Sequence, residues 1–206
     1  MKVRAIVVGA FHEIIELAEE TNIQIIGLID NIKIGTYRNI AILGNDDQAE
    51  IIYLKYKNIP LILTPDKPMV RFKLTNHYTN LGFSFISLIS KSSKISLSSK
   101  IETGSVVQHG VNISSESQIG KFVKLNTASN IMHDCIIGDF TTIAPNAVVL
   151  GNVKIGRRCY IGSNSTILPN LVICDDVIIG AGAVVTSHIS VFGTYVGIPA
   201  QKMLNT

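Results

Sequence analysis

Two of the chain's five histidines sit where an imidazole could work as a base. His109 and His133 each fall two places after an aliphatic residue, Val107 and Ile131, in a series of short, evenly spaced units, and both read as outward-pointing corner residues. Imidazole changes charge near neutral pH, so it can take the proton of an attacking amine or hydroxyl. Asp134 follows His133 directly; neighbours on a regular strand point apart, so only a corner lets both serve one site. His12 and His77 precede this region and His188 lies at its end. Cys135, Cys159 and Cys174 form no CxxC pair and have no histidine at metal-ligand spacing, which reads as reduced thiols in packing sites and no metal.

The elements that must position these residues are set by a repeat. Sixteen positions six apart, from Ile95 to Val185, are all Ile, Leu or Val, and the residue four places after each is small or aliphatic and never charged. Six is not a helical period; it fits a short strand plus a corner. Three units close a triangular coil of 18 residues, and stacked coils bury what one coil cannot. At the ordinary strand spacing of ~4.8 Å the prism is roughly 25 Å tall. An ordinary β-sandwich predicts turns at irregular spacings of about 8 to 12 residues, which the unbroken period does not fit. Gly120, Gly138, Gly156, Gly162 and Gly180 follow aliphatic positions and are expected at corners, for their backbone freedom. Adding one coil separates the two histidines: above His133 lies Gly151, a bare backbone that an acyl group can approach, whereas above His109 lies Thr127.

The first 64 residues alternate differently. Strands are expected at 3–9, 23–30, 39–43 and 60–64 and helices at 11–21 and 46–56, a βαβαβ pattern that implies a small parallel sheet. The carboxyl ends of its strands carry Gly9, Ala10, Phe11 and His12, then Asp30 and Asn31, then Gly44, Asn45 and Asp46, and these loops should share one crevice. Gly9 stands alone where a dinucleotide fingerprint needs three glycines, so a dehydrogenase is excluded. Two readings stay open for His12, a ligand contact or a solvated helix start, and Asp46 is placed as a cap of the second helix. Residues 65–94 read as a crossover into the prism, 95–190, with a tail over 191–206.

Composition agrees with packed β structure: 47% of residues are apolar, 16% charged, and Ile alone occupies 33 positions. The net charge of +3 lies outside the prism, where six Lys/Arg balance six Asp/Glu, so there is no nucleic-acid footprint. No stretch approaches the ~18 to 20 apolar residues of a membrane span, and the start, basic then apolar, runs at once into Glu13, Glu16, Glu19 and Glu20 without a cleavage site. A cytoplasmic protein without membrane insertion is expected.

The pattern of aliphatic, often Gly, two variable, small, variable resembles the hexapeptide-repeat acyltransferases, and the closing Gly193-Thr-Tyr-Val-Gly-Ile-Pro-Ala-Gln-Lys-Met203 is similar to the end of these enzymes. With the N-terminal region, the resemblance is to bacterial sugar acyltransferases of the sialic-acid and bacillosamine pathway type and covers nearly the whole chain. It implies a mainly β fold, a left-handed parallel β-helix after a small Rossmann-like α/β domain. The implied activity is acetyl transfer from acetyl-CoA to the amino group of a nucleotide-linked amino sugar for surface polysaccharide, in a homotrimer whose coenzyme A grooves form between prisms. Leu125 to Phe140 is similar to the family's active-site segment, which implies His133 as general base, Asp134 polarising it, and Gly151 donating its amide to the acetyl oxygen. Asn126 matches a position near the catalytic centre, against the alternative of a structural corner hydrogen bond. Thr142, Ser163, Ala181, Pro199 and Lys202 are implied with Gly151 in the coenzyme A groove, and Gly9, Ala10, His12, Asp30, Gly44 and Asn45 on the nucleotide sugar. The first loop is shorter than the family's, and its Glu13 repels a phosphate unless turned away. Two rivals remain: sugar O-acetylation, which the same base serves, and a non-catalytic β-helix that binds a partner with its wall.

Overall fold

Four apolar, β-branched runs in the N-terminal third become a parallel sheet. β1 (Val3–Val8), α1 (His12–Glu19), β2 (Ile23–Ile29), β3 (Thr36–Tyr37), β4 (Ile40–Gly44), α2 (Ala49–Tyr56) and β5 (Leu61–Leu63) follow in order. The sheet order is β3-β4-β2-β1-β5, with β4, β2, β1 and β5 parallel and β3 an antiparallel edge on β4. The computed structural model describes residues 2–203; Met1, at the start of the expected first domain, and residues 204–206, at the end of the expected tail, lie outside the described residues. The segment 65–94 contains a helix that the sequence reading lacked, α3 (Pro68–Asn80), and the first prism strand, Leu88–Ile89, one unit before Ile95. Among the described residues no helix is long and apolar enough to cross a membrane.

From Leu88 onward, short strands, nearly all of two residues, form three parallel walls in register at a shift of eighteen, as in Asn112 to Asn130 to Val148. This is a parallel β-helix, and the protein is mainly β. The aliphatic positions fill it: from Val107 to Val185 each is at most 2% exposed. On several coils the small position is an inter-coil clip. Ser105, Ser117 and Thr141 donate to the carbonyls of Gly120, Met132 and Gly156 at 2.8–2.9 Å. Cys135 and Cys159 occupy this same position, each Sγ 3.1 Å from the carbonyl oxygen fifteen residues on. Burial pushes the Cys159 thiol up to about 12, so it stays protonated and donating.

Every sixth residue from Gly104 to Gly182 has left-handed φ, and most are not glycine: Asn146, Asn152, Asn164 and Asn170 tolerate this backbone, while Phe122, Ala128 and Phe140 bear its strain. The glycines expected to turn the corners lie two places earlier and are not left-handed. They are there because the coils touch: a Cβ on Gly138 would fall 2.5 Å from the carbonyl carbon of Gly156.

The three walls differ outside. On the wall of Leu88, Val106, Lys124 and Thr142 these outward residues are at most 2% exposed, because the N-terminal domain covers them. The second wall begins at exposed Lys94 and continues through Asn112, Asn130, Val148, Thr166 and Val184, which are part-buried and uncharged. The third presents Lys100, Gln118, Ile136, Lys154 and Val172 to solvent. Past Val185 the chain caps the stack: Gly193–Val196 pairs parallel with Val177–Ile179 and antiparallel with Gln201–Lys202. Gly138→Ala is expected to lower stability by about 1 to 3 kcal/mol, and Ala128→Gly to hold or raise it, read as urea midpoints.

Candidate active site

The left-handed backbone of Asp134, φ +60°, turns two sequence neighbours toward each other. His133 Nδ1 lies 2.8 Å from Asp134 Oδ2, and both side chains are more than half exposed. With Nδ1 engaged by the carboxylate, Nε2 keeps its lone pair free to accept a proton. The imidazole lies against Gly151 of the coil above: a Cβ there would fall 2.6 Å from Cε1 and 2.7 Å from Nε2, so any other residue would displace the ring. The ladder uses the N–H of Leu150 and of Asn152, and that of Gly151 between them belongs to neither bond. A cavity of about 330 Å³ opens here, lined by Met132, His133, Leu150, Gly151, Asn152, Pro169 and Asn170. It can admit an acyl chain between apolar Leu150 and Pro169 and polar Asn152 and Asn170. The other histidines have different surroundings. His109 bonds Ser90, His77 the carbonyl of Asp46 and His188 the N–H of Val172, and His12 is exposed beside Phe11.

A second concavity lies at the carboxyl ends of β1, β2 and β5. One part, about 280 Å³, is lined by Gly9, Ala10, Phe11, Asp30, Thr64, Pro65, Asp66 and Lys124. An adjoining part of about 240 Å³ adds Asn31, Ile32, Asp46, Val70 and Leu74. Asp30 ties the first two loops together, accepting from the N–H groups of Ala10 at 2.7 Å, Lys33 at 2.8 Å and Ile32 at 2.9 Å. Burial raises its pKa, but these donors and the Lys33 ammonium outweigh it and hold the carboxyl below its usual range. Gly9 is left-handed and a Cβ there would strike the Thr64 hydroxyl. Asn45, not Asp46, is the cap, of the 3-10 turn Asp46–Gln48 that leads into α2: its side chain and that of Gln48 form a reciprocal capping box. Asp46 instead accepts from Tyr78 Oη and Asn31. Gly9, Ala10 and Asp30 thus line the crevice, Gly44 and Asn45 sit beside it, and His12 does not line it.

The remaining expected residues scatter. Asn126 is not with His133; it is buried on the covered wall, donating to Asp66 at 3.2 Å. Thr142 cannot line a groove, being fully buried where it donates to the carbonyl of Asp66 and accepts from Arg71. Ser163 and Ala181 stack one coil apart on a corner, half-buried and exposed, and Pro199 and Lys202 are exposed on the tail. The histidine corner is the one opposite the covered wall, so in a single chain it lies across the prism from the crevice.

Sequence reasoning missed Asp66, Lys124 and Arg71. Arg71, 2% exposed, donates to the carbonyls of Pro65, Asp66, Phe122, Phe140 and Thr141 and to Thr142, joining the crevice loop to two coils; burial lowers it to about 10. Lys124, also 2% exposed, donates to the Thr64 carbonyl at 2.7 Å and pairs with Asp66 at 2.8 Å. No signal marked it, since Lys94, Lys100 and Lys154 hold the equivalent repeat position and are exposed.

Residues 116–151 and 152–187 match the family model described as bacterial transferase hexapeptide (six repeats). No curated protein matches in sequence. Among solved structures, a histidine-to-alanine mutant of GDP-perosamine N-acetyltransferase from Caulobacter crescentus, in complex with CoA and GDP-perosamine, is 24% identical, with 98% of this chain and 97% of that one covered and a TM-score of 0.92. The acetyltransferase domain of PglB from Neisseria gonorrhoeae, in complex with acetyl coenzyme A, is 25% identical over 98% and 100%, with a TM-score of 0.90. WeeI from Acinetobacter baumannii is 28% identical over 97% and 100%, with a TM-score of 0.80.

The interface pair makes a pH prediction. Burial raises Asp66, but Lys124, Asn126 and Arg71 outweigh it and hold the carboxyl below 3.8. A depressed carboxylate contributes stability at neutral pH that is lost as pH falls below the ordinary value through the folded one. Asp66→Asn is therefore expected to lower the urea midpoint at pH 7 and to narrow its difference from the wild type near pH 3.

Proposed function

We propose that this hexapeptide-repeat acyltransferase moves acetyl from acetyl-CoA to the amino group of a nucleotide-linked amino sugar used for surface polysaccharide. The observation that carries the reading is the His133–Asp134 pair lying against a glycine that no side chain can replace. His133 Nε2 takes the proton of the attacking amine as its nitrogen bonds the thioester carbonyl carbon. Asp134 balances the imidazolium, and the Gly151 N–H meets the charge that develops on the acetyl oxygen. As the carbon–sulfur bond breaks, the imidazolium returns its proton to the leaving thiolate, giving the N-acetyl sugar and free thiol. Glycine at 151 and the cavity beside it suit a thioester, and the solved relatives that hold CoA or acetyl coenzyme A support that fit.

The N-terminal sheet is read as Rossmann-like, with the crevice at its strand ends for the nucleotide sugar, and the prism as left-handed; full-length likeness to the perosamine and PglB structures supports both. The working assembly is a homotrimer in the cytoplasm. Its support is that crevice and histidine corner lie on opposite sides of one prism, so a second copy must unite them. The wall between the His133 corner and the Ser163 corner, uncharged from Asn112 to Val184, is the face suited to that packing.

Thiol release from acetyl-CoA with a panel of UDP-, dTDP- and GDP-linked amino sugars tests the reading; silence across the panel with an intact trimer would favour a non-catalytic β-helix. His133→Ala and Gly151→Ala are each expected to lower kcat by about 10² to 10⁴, with Asp134→Asn losing less. Near wild-type turnover in His133→Ala would remove the assigned base.

A further inference from the structure

The crevice holds a cluster whose open valences are all of one kind. Asp66 Oδ1 accepts from Lys124 Nζ at 2.8 Å and from Asn126 Nδ2 at 3.2 Å, while Oδ2 has no partner among the described residues and the side chain is half exposed in the cavity wall. Asn126 is 4% exposed, and its Oδ1 is buried without a hydrogen-bond partner. The donors nearby are buried and engaged: Lys124, 2% exposed, donates to Asp66 and the Thr64 carbonyl and has the Phe11 ring 5.6 Å from its nitrogen, and Arg71 is bonded to six oxygens. What remains is a carboxylate oxygen and an amide oxygen, two acceptors from one cluster.

We propose that Asp66, fixed by Lys124, is the specificity-determining contact that selects the acceptor's amino group, binding it in the ammonium form. The inference rests on the reading of the chain as a nucleotide-amino-sugar N-acetyltransferase and names how that site tells an amine from a hydroxyl. A diphosphate offers only acceptors and would set lone pairs against lone pairs. A sugar hydroxyl offers one neutral donor. An ammonium offers three donors and a charge, and a charge-assisted hydrogen bond is roughly twice as strong as a neutral one. The carboxylate is ready for this role without rearrangement, because Lys124 and Asn126 already hold Oδ1 and leave Oδ2 toward the cavity. Lys124 fits the same account: an ammonium on this wall position is buried only where it fixes Asp66, and elsewhere on the prism lysine at that position is in solvent.

Selection of the ammonium leaves the chemistry balanced. The bound ammonium releases one proton to solvent, the neutral amine attacks, and its second proton passes through His133 to the leaving sulfur, so the net reaction yields the amide, the thiol and one proton.

The test takes the nucleotide-linked amino sugar that the wild type acetylates and the same nucleotide sugar with a hydroxyl in place of the amine, and measures equilibrium affinity for both. The wild type is expected to prefer the amine tenfold or more, Asp66→Asn to lose that preference while still binding coenzyme A, and Asp66→Glu to recover part of it. A preference in Asp66→Asn within twofold of the wild type's overturns the proposal while leaving the acetyltransferase reading intact. If no member of the panel is bound or acetylated, the acetyltransferase reading itself fails and the inference with it. Should Asp66→Asn not fold, wild-type affinity against pH decides: it must fall for the amine as pH passes the amine's own pKa and stay level for the hydroxyl analogue, and a level curve for both refutes ammonium selection.

Discussion

Each coil is fixed to the next by parallel backbone hydrogen bonds at a shift of eighteen residues, and nearly every other feature of the molecule follows from that register. It aligns like positions above one another, so an aliphatic residue always meets an aliphatic residue inside, and the hydroxyls of Ser105, Ser117 and Thr141 and the thiol of Cys135 each meet a carbonyl of the coil above. It also places a left-handed residue at each corner from Gly104 to Gly182, whatever the local sequence. The strain at Phe122, Phe140 and Ala128 is tolerated because the ladder on both sides over-determines the backbone. At Asp134 the same geometry is used chemically, since it brings a carboxylate back onto the ring of its own neighbour.

The prism by itself is three-fold alike, and the N-terminal domain breaks that likeness. Leu88 and Val106 join the apolar core of α1, β1 and β2, while Phe122 and Phe140, stacked 5.2 Å apart, face Phe85 and Phe72 edge-on. Arg71 adds bonds to five carbonyls and the Thr142 hydroxyl, so the domain is held by groups that the coil would otherwise leave to water. One wall becomes interior, and the crevice acquires a floor made partly of prism residues.

The period of six was legible because the same physical demand is repeated at sixteen positions, which outvotes any local ambiguity. Gly151 over His133 followed from adding eighteen, Asp134 from its place beside the histidine and the family resemblance, and the structure brings these three together. What the sequence did not disclose depends on which wall is covered. Lys124 and Thr142 occupy positions that are outward on all three walls, and only docking of the N-terminal sheet makes them interior. The role of the glycines was misread for a related reason: a residue-by-residue reading sees freedom of the glycine itself, while the constraint comes from a chain segment eighteen residues away. Asn45 and Asp46 are equally good caps on paper, and the partner Tyr78, thirty-two residues on, decides between them.

A ladder that adds one coil for every eighteen residues has no internal reason to stop, and its last open edge would accept a strand from any neighbouring molecule. The tail answers this. After Gly193–Val196 continues the parallel stack, the chain doubles back so that Gln201–Lys202 runs against it. The reversed strand ends the growth direction: another prism arriving in parallel finds an edge of the wrong polarity, with the flexible Lys202 charge beside it. Chain reversal at the end of the repeat therefore acts as protection against end-to-end fibre formation.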